Sequence, residues 1–305
     1  MKNSMIFLVT LTVLAQLMFA GPVFSEGLVV DGLFMLKNNH AARSTGMGAA
    51  FVSIDADPNA VACNPANAVG LERFTASFGH TEYWKNIRFE SGYFGINLTT
   101  RCYLHGGIRY AADNDLELRS HASDEPEGYF NAHDASFKAG LSYKFSDMVA
   151  VGAAMGWFIE EIEGYRGSAF NIDFGVLATC NKNLNIGASV TNLGSDFSIT
   201  KPNQLGSRDI SLPTAYRLGA SYRYSRYLGA VDFVYKDNEA HLHLGAEACL
   251  QEMFQLRVGY MTGYDTKNFT AGASFKIRDI IVDYAFLPYT NNLGTSHLFN
   301  LTFSL

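Results

Sequence analysis

The amino-acid sequence predicts an all-β fold: a 14-stranded antiparallel transmembrane β-barrel preceded by an N-terminal segment that stands apart from the strands. Three observations predict it. Apolar and polar residues alternate with a period of two in segment after segment, so each segment has one oily and one polar or small face. Most segments are about 9–12 residues long, which suits a tilted strand crossing a bilayer. Short turns mostly alternate with longer connections, the layout of a barrel with turns on one rim and loops on the other. Composition agrees, since Gly 28, Tyr 16 and Phe 23 against 7 Pro is a strand-rich balance, and 48% hydrophobic residues exclude disorder as the main state. A net charge of −6 gives no general attraction to nucleic acid, which is excluded as a partner. Cys63, Cys102, Cys180 and Cys249 are scattered without a CxxC pair, against a zinc knuckle or redox motif, and leave disulfides open.

Residues 1–25 read as a secretory signal peptide. Lys2 precedes an apolar run from Met5 to Ala20, and Val23 and Ser25 supply small residues for cleavage after Ser25, with Ala20 the second choice. The run is shorter than a spanning helix needs, no cationic cluster follows it, and no Cys follows for lipid attachment. The chain is expected to leave the cytoplasm. Residues 26–72 do not alternate. Gly46 and Gly48 allow tight backbone, while Asp57-Pro58 and Asn64-Pro65 are starts for short helical turns around Pro58–Cys63 and Pro65–Val69. This hatch segment has two homes open to it: periplasmic solvent, or the lumen of the barrel.

The barrel proper is expected over 73–305, with strands near 73–80, 88–99, 101–112, 135–145, 148–160, 167–179, 182–193, 214–225, 228–236, 240–250, 253–262, 268–277, 279–288 and 296–305. Short turns fall at Thr99–Arg101, Ser146–Asp147, Cys180–Lys182, Ser225–Tyr227, Gln251–Glu252 and Arg278–Asp279. Longer connections are His80–Ile87, Asp113–Asp134, Glu160–Arg166, Gly194–Pro213, Thr262–Lys267 and Tyr289–Thr295, with Asp237–Glu239 a short exception. Long loops outside and termini on the periplasmic side give an outer-membrane orientation. Tyr83, Trp84, Trp157, Phe158, Tyr165, Tyr235, Tyr260, Tyr264, Tyr289 and Phe303 lie near strand ends, where aromatic girdles form.

Charges of both signs fall on inward faces. Arg217, Ser221 and Arg223 oppose Tyr216, Leu218 and Tyr222; His241, His243 and Glu247 oppose Leu242 and Leu244. Arg101, Arg109, Lys138, Asp173, Asp232, Arg257, Lys276 and Asp283 also lie on polar faces, as packing partners or as a selectivity path. In the hatch segment, Asp55, Asp57 and Asn64 are the groups expected to meet wall donors such as Arg217, Arg223 and Arg257. His241, His243 and Glu247 share a face at a spacing that could hold a divalent metal, although two lumenal histidines beside an acid are more often a hydrogen-bonded pair and no metal is assigned. Ser221 and His243 have no hydrolase motif, so no enzyme and no cofactor is expected. The Asn97, Asn268 and Asn300 glycosylation patterns fall in strands and carry no meaning there. Residues 113–134 hold seven acids against Arg119, a solvated loop or a surface for a basic partner.

The stretch from Gly46 to Ala66, GMGAAFVSIDADPNAVACNPA, resembles the N-terminal signature of the PorV/PorQ family and the wider FadL group, whose pattern reads GMGGAFVA…DD…A…NPAGL. Asn67 stands where that pattern has Gly, and Cys63 replaces an aromatic residue. The end of the chain, Asp283–Tyr289 followed by Leu293–His297 and a final alternating strand, resembles that family's C-terminal hairpin. The resemblance implies a 14-stranded outer-membrane barrel with an N-terminal hatch, related in fold to long-chain fatty-acid transporters. It implies two roles: passage of hydrophobic compounds, or type IX protein export with secretion-machinery proteins and the C-terminal domains of cargo as partners. A structural barrel embedded in outer-membrane lipid is the third.

Overall fold

The computed structural model describes residues 33–38, 41–83, 87–122, 124–200 and 207–305. The expected signal peptide, residues 26–32 and Trp84 lie outside them. In chain order the strands are β1 (Phe74–Glu82), β2 (Arg88–Asn97), β3 (Cys102–Leu118), β4 (Gly128–Lys144), β5 (Val149–Ile162), β6 (Tyr165–Asn181), β7 (Leu184–Gly194) and a small hairpin, β8 (Phe197–Thr200) and β9 (Ser207–Ile210). They continue as β10 (Ala215–Tyr224), β11 (Tyr227–Lys236), β12 (Glu239–Leu250), β13 (Phe254–Met261), β14 (Phe269–Ile277), β15 (Ile280–Pro288) and β16 (Thr295–Ser304).

Fourteen of these close into an antiparallel ring. Sequential strands pair, β7 passes directly to β10, and β1 meets β16 with Thr75 opposite Ser304 and Glu82 opposite His297. The β8–β9 hairpin hangs from β6, where Arg166 pairs with Thr200. Closure leaves no strand edge in hydrocarbon, where an unpaired N–H or C=O has no water to turn to. The alternation sorts side chains as expected: Phe78, Ile108 and Leu218 are more than half exposed outward, while Ser77, Ser142 and Asp232 are buried inward.

Two expected loops are shorter than the alternation implies. Asp113–Asp134 shrinks to residues 119–127, because β3 and β4 stay paired up to Leu118 opposite Gly128, across an irregularity between Asp113 and Leu116. Glu160–Arg166 contracts to a turn at Glu163 and Gly164, both at positive φ. Above the bilayer both faces meet water, so polar residues occupy both sides of a strand whose hydrogen-bond ladder continues. The result is a tall wall, with β3, β4 and β6 of 17 residues and β5 of 14 against 8–12 elsewhere in the ring. The girdle is also thinner than expected. Trp157, Tyr235 and Tyr260 face outward, but Tyr83 and Phe158 are buried in an apolar cluster with Leu33, Met35, Leu36 and Phe89, and Tyr289 packs against it.

Of the two homes left open for the N-terminal segment, its described residues from Leu33 onward occupy the lumen. Helix α1 (Phe34–Lys37) lies toward the long-loop rim, where Leu33, Met35 and Leu36 join that cluster. Helix α2 (Ala42–Gly46) packs on the inner face of β13–β16, and Ala42 touches Ala285 and Leu298. Two 3-10 turns follow, Pro58–Ala62 and Pro65–Ala68, and Leu71 reaches Tyr93 and Tyr103 before β1 begins. Met47, Phe51 and Val52 are wholly buried, and burying Phe51 alone stabilises by about 1.5–3 kcal/mol. All four cysteines are free.

Leu218 faces outward in mid-strand, so Leu218→Arg should destabilise the barrel by about 2–4 kcal/mol. Urea titration of the protein folded into vesicles measures it, and an unchanged midpoint contradicts the outward placement.

Candidate functional site in the plugged lumen

The N-terminal segment has little regular structure, so its backbone groups must find partners on the wall. The wall supplies them from short polar side chains. Asn300 Oδ1 accepts the Ala42 N–H at 2.7 Å, and Thr270 Oγ1 accepts the Gly48 N–H at 3.0 Å. Hydroxyls of Ser142, Ser189 and Ser221 donate to the carbonyls of Pro65, Cys63 and Ser53. Asp232 Oδ2 accepts two consecutive N–H groups, Phe51 at 2.6 Å and Val52 at 2.8 Å, a charge-assisted nest.

The two Asx-Pro motifs act locally first. Asp57 accepts the Asn59 N–H and Asn64 accepts the Ala66 N–H, each capping a turn whose first residue is proline. Asn64 then donates to Val52 O at 2.8 Å and Val176 O at 3.0 Å. It fits because Gly175 faces it; a Cβ there would collide with Asn64 Oδ1. Gly48 needs its own freedom twice over, for φ +61 and because a Cβ would sit 2.6 Å from Leu244 O. Asn67, the departure from the family pattern, donates to Phe51 O and Val52 O at 3.3 and 3.1 Å, pinning the loop that Asp232 holds from its other side.

A charged ladder crosses from the plug into the wall. Arg43 Nε and Nη2 each donate to Glu247 at 3.0 Å, and Nη1 donates to Asp57 at 3.1 Å. Arg257 donates to the same Glu247 at 2.7 Å and to Asp283 at 3.0 Å, and Asp283 also accepts from Ser274. Burial would depress the Arg43 guanidinium, but Glu247 and Asp57 more than offset it and raise its pKa above the usual value. Burial pushes the Asp55 carboxyl up, a backbone hydrogen bond and the charges of Arg223 and Arg43 opposing.

Among the expected site residues, Asp57, Glu247 and Arg257 meet in this ladder, but the cation that binds Asp57 is Arg43, from its own segment. Asn64 pairs with backbone rather than arginine, and Asp55 meets Asn185 at 3.4 Å. Arg223 is exposed beside the short turn, and Arg217 donates to Thr191 at 2.7 Å higher in the lumen. His243 lies between Ala49 O and the Tyr264 hydroxyl, His241 stacks on the Tyr264 ring at 4.0 Å, and Glu247 is taken by two guanidinia, which draws the three apart as metal ligands. Arg43 lies three residues before the quoted motif stretch and gives no periodic signal. Asp232 was legible as an inward acid, though not as an anchor.

Between plug and long-loop rim lies a cavity of about 90 Å³, with Thr45, Ala49 and Cys63 on its floor and Leu36, Tyr83, Met261, Tyr264, Leu287 and several lysines and arginines among its walls. No family model and no curated protein matches the chain. Among solved structures, the P. putida toluene transporter TodX aligns with a TM-score of 0.66 over 88% of this chain and 99% of that one, at 10% identity. The Ralstonia pickettii toluene transporter TbuX gives 0.60 over 86% and 96%, at 13% identity. A Pseudomonas aeruginosa FadL homologue gives 0.56 over 87% and 98%, at 10% identity. The likeness is one of fold: the chain folds as a FadL-type barrel.

Removing the shared carboxylate leaves two buried guanidinia without their main partner, so Glu247→Gln should cost about 3–5 kcal/mol and loosen the plug. Site-resolved maleimide labelling of the buried Cys63 should then accelerate at least about tenfold. Unchanged Cys63 protection would show that the ladder does not hold the segment.

Proposed function

We propose that this chain is an outer-membrane channel for small, largely apolar compounds, with its long-loop rim outward, its short-turn rim periplasmic and residues 26–72 as its hatch. The observation that carries this reading is a cavity inside a closed barrel, shut from below by a segment bound through side chain-to-backbone contacts and the Arg43 ladder. The fold shared with toluene transporters supports it, as does a cavity wall of leucine, methionine and tyrosine side chains. Catalysis is disfavoured because Ser221 donates to Ser53 O and His243 is engaged elsewhere, so the two do not form a nucleophile and base.

The tall β3–β6 wall favours a second reading, the one implied by resemblance to PorV/PorQ. It projects a rim rich in acids, Glu117, Asp124, Glu125 and Glu127 among them, where exported cargo or secretion-machinery proteins would dock.

Deleting residues 40–66 should leave a folded, heat-modifiable barrel with raised conductance in planar bilayers. Unchanged conductance in that folded variant overturns the hatch assignment. In the native cell, toluene uptake lost with the gene favours passage, while retained cargo with uptake unaffected favours export.

A further inference from the structure

The wall of the cavity is cationic to a degree that a neutral cargo does not explain. Arg109, Lys138, Arg217, Lys236 and Lys267 all line it, together with Lys37, and among the described residues no aspartate or glutamate does. Two of these charges are answered: Lys138 binds Asp173 at 2.5 Å, and Lys37 lies 3.7 Å from Asp237. The other four reach only neutral groups among the described residues. Arg109 donates to Ser136 Oγ at 3.4 Å and Arg217 to Thr191 Oγ1 at 2.7 Å. Lys236 donates to Lys37 O at 2.8 Å and Lys267 to Asn38 Oδ1 at 2.5 Å. The two ammoniums share one aromatic face, 5.4 and 4.9 Å from the centre of the Tyr264 ring.

The acids around them are mostly engaged elsewhere, Asp232 Oδ1 being the one buried oxygen of theirs without a hydrogen-bond partner among the described residues. Asp173 is held by Lys138 and the Asn192 N–H, and Asp232, which attracts Arg217 at longer range, gives an oxygen to the plug. Asp237 and Glu239 lie at the rim, beside Lys37 and His241, and attract Lys236 only at longer range, without an ion pair. Burial and the neighbouring Lys236 charge pull the Lys267 ammonium down to about 7, as expected where positive charges crowd without a counter-ion. Clustered, partly buried cations facing an empty space are stabilised by an anion that enters it.

We infer that this cavity takes a small organic anion bearing at least two negatively charged groups on an apolar body, gripped by Arg109, Arg217, Lys236 and Lys267. Two groups are needed because the cations stand apart. Arg109 is on β3, whereas Arg217, Lys236 and Lys267 come from β10, β11 and the loop before β14, around the opposite part of the ring. The apolar body follows from Leu36, Met261 and Leu287 between the charged positions.

This inference rests on the channel reading and changes its cargo from a largely apolar compound to an anionic one with an apolar body. It is tested by isothermal titration of the folded protein, in non-ionic detergent, with toluene, benzoate and benzene-1,3,5-tricarboxylate: one ring with zero, one and three charges. The tricarboxylate should bind at least about tenfold tighter than benzoate, weaken with salt, and lose about tenfold in Arg109→Gln and in Arg217→Gln. Neither arginine makes an ion pair among the described residues, so both variants should fold, and heat-modifiable mobility checks it. Lys267→Gln, outside the strands, serves if they do not. Toluene bound as tightly as the tricarboxylate overturns the inference and leaves the channel standing. Absence of binding by all three also overturns it, and the conductance of the hatch deletion then judges the channel separately.

Discussion

The structure depends on one constraint: polypeptide backbone shielded from water must still find hydrogen-bond partners. In the wall this forces closure, so that every strand is paired on both sides and β1 must meet β16. In the lumen the same constraint acts on a segment with two short helices, two 3-10 turns and little else. Its free N–H and C=O groups are met by Asn300, Thr270, Asp232 and serines from around the ring. The inward face is therefore a complement to one irregular stretch of chain as much as the inside of a tube. Small residues such as Gly175 let that stretch come close enough to bond.

Two kinds of inward polarity divide the lumen. Below, opposite charges are matched at short range, from Arg43 and Asp57 through Glu247 and Arg257 to Asp283. Glu247 is shared by two guanidinia, so neither arginine can be withdrawn without exposing the other's partner. Above, around the cavity, positive charge goes largely unmatched. A matched ladder suits a part that must stay put, and an unmatched cluster suits a place where something else completes it. Neither arrangement would survive on the lipid face, where a single arginine at mid-depth is unfavourable by about 2–4 kcal/mol.

The strands were legible because the bilayer writes a period of two into them, and the ring strands begin and end close to the expected positions. That signal fades where the bilayer ends. Leu118 and Gly128 pair above it with polar neighbours on both faces, so alternation misses the upper parts of β3 to β6. The inward charges were legible for the same reason, but their partners were not, since alternation assigns a face and says nothing of depth. Arg217 and Arg257 look alike in sequence, yet one lines a cavity and the other is sealed between two carboxylates. Asp57 and Asn64 could be seen as turn starters from the prolines that follow them. That Arg43 would reach Asp57 from within the same segment depended on how the segment folds back, which no periodicity records.

The path of that segment also ties it to the seam of the ring. It runs down the lumen from Leu33 under the long-loop rim to Leu71, and within a few residues it becomes β1, the strand whose pairing with β16 completes the ring. The chain thus closes around its own leading stretch. A plug laid in place before the β1–β16 seam is zipped needs no threading through a closed ring, and α2, packed on β13–β16, then offers those strands a surface without being required for their closure.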